Sequence, residues 1–121
     1  MKNNSIIRSF RVAFNGLKYA LTSQRNLKIQ GILATIAIIL GITLKITRME
    51  WAIVLTCIGL VMGMELMNTA LEILLDKIHP EHDDAIGRAK DVAAAAVLLA
   101  SICSALAGIY VFYVRISALF D

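Results

Sequence analysis

The chain has little of what a water-soluble fold of its length would use. Its 121 residues include a single proline, Pro80, and charged residues are 17% of the total against 59% hydrophobic. No aspartate or glutamate occurs before Glu50. The only cysteines, Cys57 and Cys103, both fall in apolar runs, so no disulfide framework is implied. There is neither a Walker-type phosphate loop nor a Gly-x-Gly-x-x-Gly turn, which removes the common soluble nucleotide-binding folds. The net charge of +3 is no footprint for nucleic acid, and none is expected as a partner. The polar N-terminal region does not have the form of a cleaved signal peptide. One domain is the most that this length allows. A domain so small keeps much of its surface wet and cannot hide this much hydrocarbon.

What is present in place of a soluble core is three long apolar runs. Ile29–Leu44 is uncharged between Lys28 and Lys45, Trp51–Leu75 is apolar apart from a few polar positions, and Val92–Val114 carries no charge. At 1.5 Å per residue the last is about 34 Å long, enough for a hydrocarbon core of about 30 Å. The first reaches only about 24 Å and must recruit its flanks or thin the bilayer. The expected fold is an all-α membrane protein, one domain over 1–121. It has an N-terminal interfacial helix at 5–24 and transmembrane helices at 29–44, 51–75 and 92–114. Lys2, Arg8, Arg11, Lys18, Arg25 and Lys28 precede the first span, and Lys77, Arg88 and Lys90 lie between the second and third. Only Lys45, Arg48 and Arg115 fall on the other side. The excess of basic residues predicts a cytoplasmic N-terminus and 76–91 loop, and an outside C-terminus.

Within 5–24, Phe10, Phe14, Leu17 and Leu21 recur at helical spacing, with Arg8, Arg11, Asn15 and Lys18 on much of the remaining surface. Such a basic amphipathic helix belongs in the membrane interface, and its basic face can also wall an anionic ligand. Thr22–Lys28 is a polar break. The turn Lys45–Glu50 precedes Trp51, an interfacial aromatic. Gly59-x-x-x-Gly63 in the second span permits close helix approach. Ala96, Ala100, Ser104 and Gly108 form a ridge of small residues on the third. Three spans make a thin bundle, and oligomerisation follows naturally. His79-x-x-His82 has the spacing of a metal pair but no cysteine near it to complete a zinc site.

The chemically telling stretch is Met64-Glu-Leu-Met-Asn-Thr-Ala-Leu-Glu72. Glu65, Asn68 and Glu72 share one helix face, and Asp76 continues the stripe. Ionisable groups inside a span are costly and mark functional sites by default. The stripe descends from the membrane surface to the depth of a lipid hydroxyl. One carboxylate could act there as a base, and another is a hard oxygen ligand suited to Mg²⁺. With nearby Lys and Arg these are the main parts of phosphoryl transfer, which is mostly positioning and charge neutralisation. Two other readings remain open on the residues alone: polar glue between helices in a structural subunit, and the acidic pathway of a small ion- or proton-coupled carrier.

Glu65-Leu-Met-Asn-Thr-Ala-Leu-Glu72, followed by Ala89-Lys-Asp-Val-Ala-Ala-Ala-Ala-Val97, resembles the prokaryotic diacylglycerol kinase and undecaprenol kinase family over nearly the whole chain. The resemblance implies a homotrimer in a bacterial inner membrane, with active sites between neighbouring subunits and transfer of the ATP γ-phosphate to a lipid hydroxyl. It implies Glu65 as catalytic base, Glu72 as ligand of the ATP-bound Mg²⁺, and Asn68 and Asp76 in support. Lys90 and Asp91 match nucleotide-contacting positions. Glu81, His82 and Asp83 fall where the family's loop touches the nucleotide, although the family often has tyrosine then histidine after that glutamate. Arg11 is expected on the nucleotide, and Phe14, Trp51 and Ala94 beside the lipid that Glu65 activates. Whether that lipid is diacylglycerol or undecaprenol stays open: the Gln24–Lys28 break looks closer to the undecaprenol branch, while Gly87–Asp91 also resembles the diacylglycerol branch.

The family commonly has a second metal-binding glutamate in the polar break, where this chain has Gln24. A glutamine carbonyl can ligate Mg²⁺ but brings no charge. Gln24 is therefore expected on the metal and nucleotide with weaker affinity than a second carboxylate would give. Gln24→Glu should lower the Mg²⁺ concentration needed for half-maximal activity, read from a metal titration; an unchanged midpoint would remove Gln24 from the metal site.

Overall fold

The computed structural model describes residues 2–121, with side chains from Ser5 onward. Four helices follow one another: α1 (Lys2–Ser23), α2 (Arg25–Leu44), α3 (Arg48–Ile78) and α4 (Asp84–Phe120). The short connections make α2, α3 and α4 successive neighbours in the bundle, while α1 meets α2 at the single residue Gln24. α3 and α4 pack most extensively, α2 lies mainly on α3, and α1 touches α2 and α3.

The polar stretch 22–28, expected as a break, is nearly all helix. Only Gln24 leaves the helical conformation, with φ −105° and ψ 118°. Polar residues at a helix end can still serve it. Thr22 Oγ1 donates to the carbonyl of Lys18 at 2.9 Å and Ser23 Oγ to that of Tyr19 at 2.7 Å. Gln24 thus forms a one-residue corner between two helices.

At the opposite end α2 stops at Lys45, a non-glycine residue in the left-handed region with φ 51°. The amide of Lys45 returns to the carbonyl of Ile42 and that of Ile46 to Gly41, which satisfies two carbonyls at the helix end. Ile46 turns inward to join Val54 and Val111 in the small core, with Trp51 and Phe112 packed against it. α3 then begins with a capping box. Glu50 N–H donates to Thr47 Oγ1 at 3.2 Å, and Thr47 N–H donates to Glu50 Oε1 at 3.0 Å. The same carboxylate accepts from Arg115 of α4, at 2.6 Å from Nη2 and 2.9 Å from Nε. One side chain therefore ties the turn before α3 and α4 together at this end.

Elsewhere the apolar surface is mostly bare. Ile42, Leu106 and Ile109 are each 65% exposed, and among the described residues the buried apolar set is only Ala20, Leu27, Ile46, Val54, Ala100 and Val111. Such a surface suits lipid rather than water. α2, α3 and α4 are all long and apolar enough to cross a membrane. The small-residue ridge of α4 is used within the chain: Ala100 is buried, and Ser104 Oγ approaches the Cys57 carbonyl at 3.5 Å. Gly59 and Gly63 face open space instead, so the Gly-x-x-x-Gly face mediates no close approach inside the protomer.

With 31 residues α3 is about 46 Å long. Counted from Trp51 at one interface, about 20 residues complete the crossing. Glu65 then lies about 21 Å along the crossing, within the far half of the hydrocarbon, with Glu72 at its edge and Asp76 beyond it. Gly41 is where the clamped end is most tightly filled, since a Cβ added there would sit 2.7 Å from the Trp51 indole and 3.1 Å from Ile46. Gly41→Ala should cost about 1–3 kcal/mol as an overpacked core does. The thermal midpoint in detergent should drop by several degrees, and a second substitution, Trp51→Leu, should recover most of it.

Candidate active site

Glu65 is 4% exposed and Thr69, one turn on, is 5% exposed. They are the buried polar residues of the chain among those described. α2 lies against this part of α3, with Asn26 and Gln30, four residues apart on one face, near the Glu65 carboxylate. Glu72, two turns further along α3, is close enough to Glu65 for the two charges to interact. Asn68 stands between them and donates from Nδ2 to Glu72 Oε1 at a long 3.5 Å. Its own Oδ1 is buried without a hydrogen-bond partner. Asp76 forms an ion pair with Lys90, which joins the end of α3 to the start of α4. The expected stripe is therefore one continuous face, housed by α2 at its deep end and by α4 at its outer end.

The connection between α3 and α4 is ordered by its own polar groups. His79 Nδ1 lies 3.0 Å from the Glu81 carbonyl. Asp83 is the N-cap of α4, accepting from the amides of Ala85 and Ile86 at 2.9 and 3.0 Å. His82 pairs with Asp84 on the open surface and Glu81 is exposed. Of the expected nucleotide contacts, Asp83 is thus partly committed to its helix and His82 is exposed but paired with Asp84, while the Glu81 side chain stands open to a ligand. Asp91 is exposed one residue after Lys90, and Arg11 is exposed on α1. Gln24, at the corner, makes no side-chain bond to the helix it caps. Among the described residues no three His, Cys, Asp or Glu side chains converge as a metal cage.

The expected lipid contacts lie at different places in the fold. Trp51 is 14 residues from Glu65, about 21 Å along α3. It packs over Gly41 at the clamped end. Phe14 and Ala94 are exposed, on α1 and on the first turns of α4 after Asp91. Three residues beside Glu65 were not anticipated: Asn26, Gln30 and Thr69. Thr69 was legible as the fourth residue after Glu65 on the same face. Asn26 and Gln30 required knowing that α2 lies against α3.

Fold and site together define a class: a small membrane protein of three spans and an amphipathic first helix, with carboxylates and amides gathered at one rim. The family model for prokaryotic diacylglycerol kinase matches residues 11–112, and the chain belongs to that family. It is 31% identical to the undecaprenol kinase of Bacillus subtilis, over 90% of this chain and 89% of that protein. To the diacylglycerol kinase of Escherichia coli K12 it is 30% identical, over 84% of this chain and 88% of the relative. To that of Haemophilus influenzae it is 35% identical over 78% and 80%.

The Asp76–Lys90 pair is largely solvated, its side chains 64% and 34% exposed. Solvated pairs contribute about 1 kcal/mol at most. A double-mutant cycle with Asp76→Ala and Lys90→Ala should give a coupling below that figure, shrinking as salt is raised. A larger, salt-insensitive coupling would show that the pair is buried in the working assembly.

Proposed function

We propose that this chain is an ATP- and Mg²⁺-dependent lipid kinase, transferring the γ-phosphate of ATP to the hydroxyl of a membrane lipid, diacylglycerol or undecaprenol. The observation that carries the reading is a buried carboxylate, Glu65, two helical turns along α3 from the more open carboxylate of Glu72. A lipid arriving from the side and a soluble nucleotide arriving from above can meet between them. The charge pattern supports a cytoplasmic N-terminus and 79–83 connection in a bacterial inner membrane, since most basic residues flank that side. A homotrimer is the assembly that suits the large apolar surface and the open Gly59–Gly63 face.

In this reading Glu65 accepts the hydroxyl proton as the lipid oxygen attacks the γ-phosphorus. The bond from that phosphorus to the β–γ bridging oxygen breaks, and ADP leaves with the electron pair. Asn26 and Gln30 hold the Glu65 carboxylate in place. Glu72 and the partnerless Oδ1 of Asn68 are hard oxygen donors that fit Mg²⁺, with the carbonyl of Gln24 as a third. Few protein ligands suffice where substrate phosphates supply the rest. Bound there, Mg²⁺ would neutralise charge on the β- and γ-phosphates. Lys90, Asp91, Glu81, His82 and Arg11 line the rim at which the nucleotide docks, and Asp76 positions Lys90.

Glu65→Gln tests the base. Purified variant with labelled ATP, Mg²⁺ and each lipid in vesicles should lose on the order of 10²–10⁴-fold in kcat. It should melt no lower than the parent, because burying a carboxylate costs stability that the amide does not. Near-normal turnover would reassign the base. Phosphate on neither lipid with the parent protein would return the reading to a carrier or a structural subunit.

A further inference from the structure

Thr69 is 5% exposed, almost as deeply buried as Glu65, yet the phosphoryl transfer described above gives it no part. Hydroxyls inside a helix commonly donate to the carbonyl one turn back. Ser9, Thr22, Ser23, Thr35 and Thr43 all do so, on exposed faces and at 2.7–2.9 Å. The Thr69 hydroxyl does not, and it has no hydrogen-bond partner among the described residues. Nor is its oxygen sealed in, as Gln30 Oε1 and Asn68 Oδ1 are. The small part of Thr69 left open therefore includes the hydroxyl. Valine has the same shape and would fill this place with no polar group to satisfy. The hydroxyl is thus available to something outside the helix.

Its position says what that is. By helical rise Thr69 stands about 6 Å beyond Glu65 and about 4.5 Å short of Glu72. At about 100° per residue it is turned about 40° from Glu65 to one side, and Asn68 about 60° to the other. The two therefore flank the line that joins the carboxylates. Asn68 is engaged with Glu72 through its nitrogen. Between Val61 and Asp76 the helix carries three acids and no cation. A phosphoryl group passing from the side of Glu72 to that of Glu65 carries negative charge on its own oxygens and needs donors there. Thr69 offers one that is otherwise unused.

We propose that Thr69 is a further catalytic residue, its hydroxyl donating to a non-bridging oxygen of the γ-phosphate as that group moves from ADP to the lipid. The inference rests on the lipid-kinase reading and adds a residue to it. The hydroxyl keeps its own proton throughout. The lipid proton goes to Glu65, the bond to the β–γ bridging oxygen breaks with its electron pair leaving on ADP, and Thr69 draws off charge from the transferring group. A neutral donor suits the place. A lysine there would pair with Glu65 and blunt it as a base, which a hydroxyl does not. A donor aimed where charge develops acts chiefly in the transition state, so its loss is read in kcat rather than in KM.

The test sets Thr69→Val beside Thr69→Ser in the full-length protein, in vesicles holding whichever of the two lipids the parent phosphorylates. Thr69→Val should lower kcat about 10–100-fold and leave the KM for MgATP and for the lipid each within about threefold. Thr69→Ser, which keeps the hydroxyl, should stay within about threefold of the parent in kcat. A binding measurement needs no turnover: the valine variant should bind ADP with aluminium fluoride, a mimic of the phosphoryl group in flight, about tenfold more weakly, and ADP alone as the parent does. Thr69→Ala takes the place of the valine variant if that does not fold. Parental kcat without the hydroxyl overturns the inference, and so does a serine variant as slow as the valine one, since side-chain shape would then be at issue. A raised lipid KM at unchanged kcat would give the hydroxyl to the lipid, and a shifted Mg²⁺ midpoint would give it to the metal; either overturns the inference while the kinase reading stands. Phosphate on neither lipid with the parent overturns both.

Discussion

Hydrocarbon offers no partner to a polar group, and that refusal governs this molecule. It obliges the chain to be helical, because a helix closes its own backbone hydrogen bonds. It also obliges any carboxylate kept within the bilayer to be enclosed by protein. Glu65 meets the requirement through α2, which supplies two amides and much of the cover. The arrangement of α2 on α3 therefore belongs to the chemistry as much as to the fold. Without Asn26 and Gln30 alongside, Glu65 would face acyl chains.

The molecule separates two kinds of work along its length. At one end Glu50 closes the turn between α2 and α3 and grips α4 through Arg115. The side chains there are tightly filled, with an indole laid over a glycine. At the other end polar side chains are left partly unsatisfied: Asn68 and Gln30 each retain a buried oxygen without a partner. Stability and function are commonly opposed in this way, with poorly satisfied groups held where a ligand completes them. The few apolar residues that are fully enclosed lie mostly toward the clamped end or between α1 and α2, so little of the protomer's own packing stiffens the carboxylate rim.

Much of this could be read in the chain itself. Three apolar runs announced three spans, and the spacing of Glu65, Asn68, Glu72 and Asp76 placed them on one helix face. Local periodicity suffices for both because each lies within a single helix. What escaped was every relation between helices. Nothing local couples Glu50 to Arg115, 65 residues apart, or marks Gln30 as different from any other amide in an apolar run. The break at 22–28 was misjudged for a different reason: serine and threonine look like loop residues until their hydroxyls fold back on the preceding turn.

The shared clamp has a mechanical consequence. α2, α3 and α4 all meet at one end, whereas the other end joins only α3 to α4, and their lengths of 20, 31 and 37 residues differ widely. Any disagreement between these lengths and the thickness of the bilayer must be absorbed at the free end, by tilt or by change of depth. That end carries the carboxylate stripe. A thicker membrane draws Glu72 and Asp76 toward the acyl zone, and a thinner one lifts Glu65 toward water. The protein is in effect a depth gauge fixed to one leaflet, whose pointer is its own reactive face.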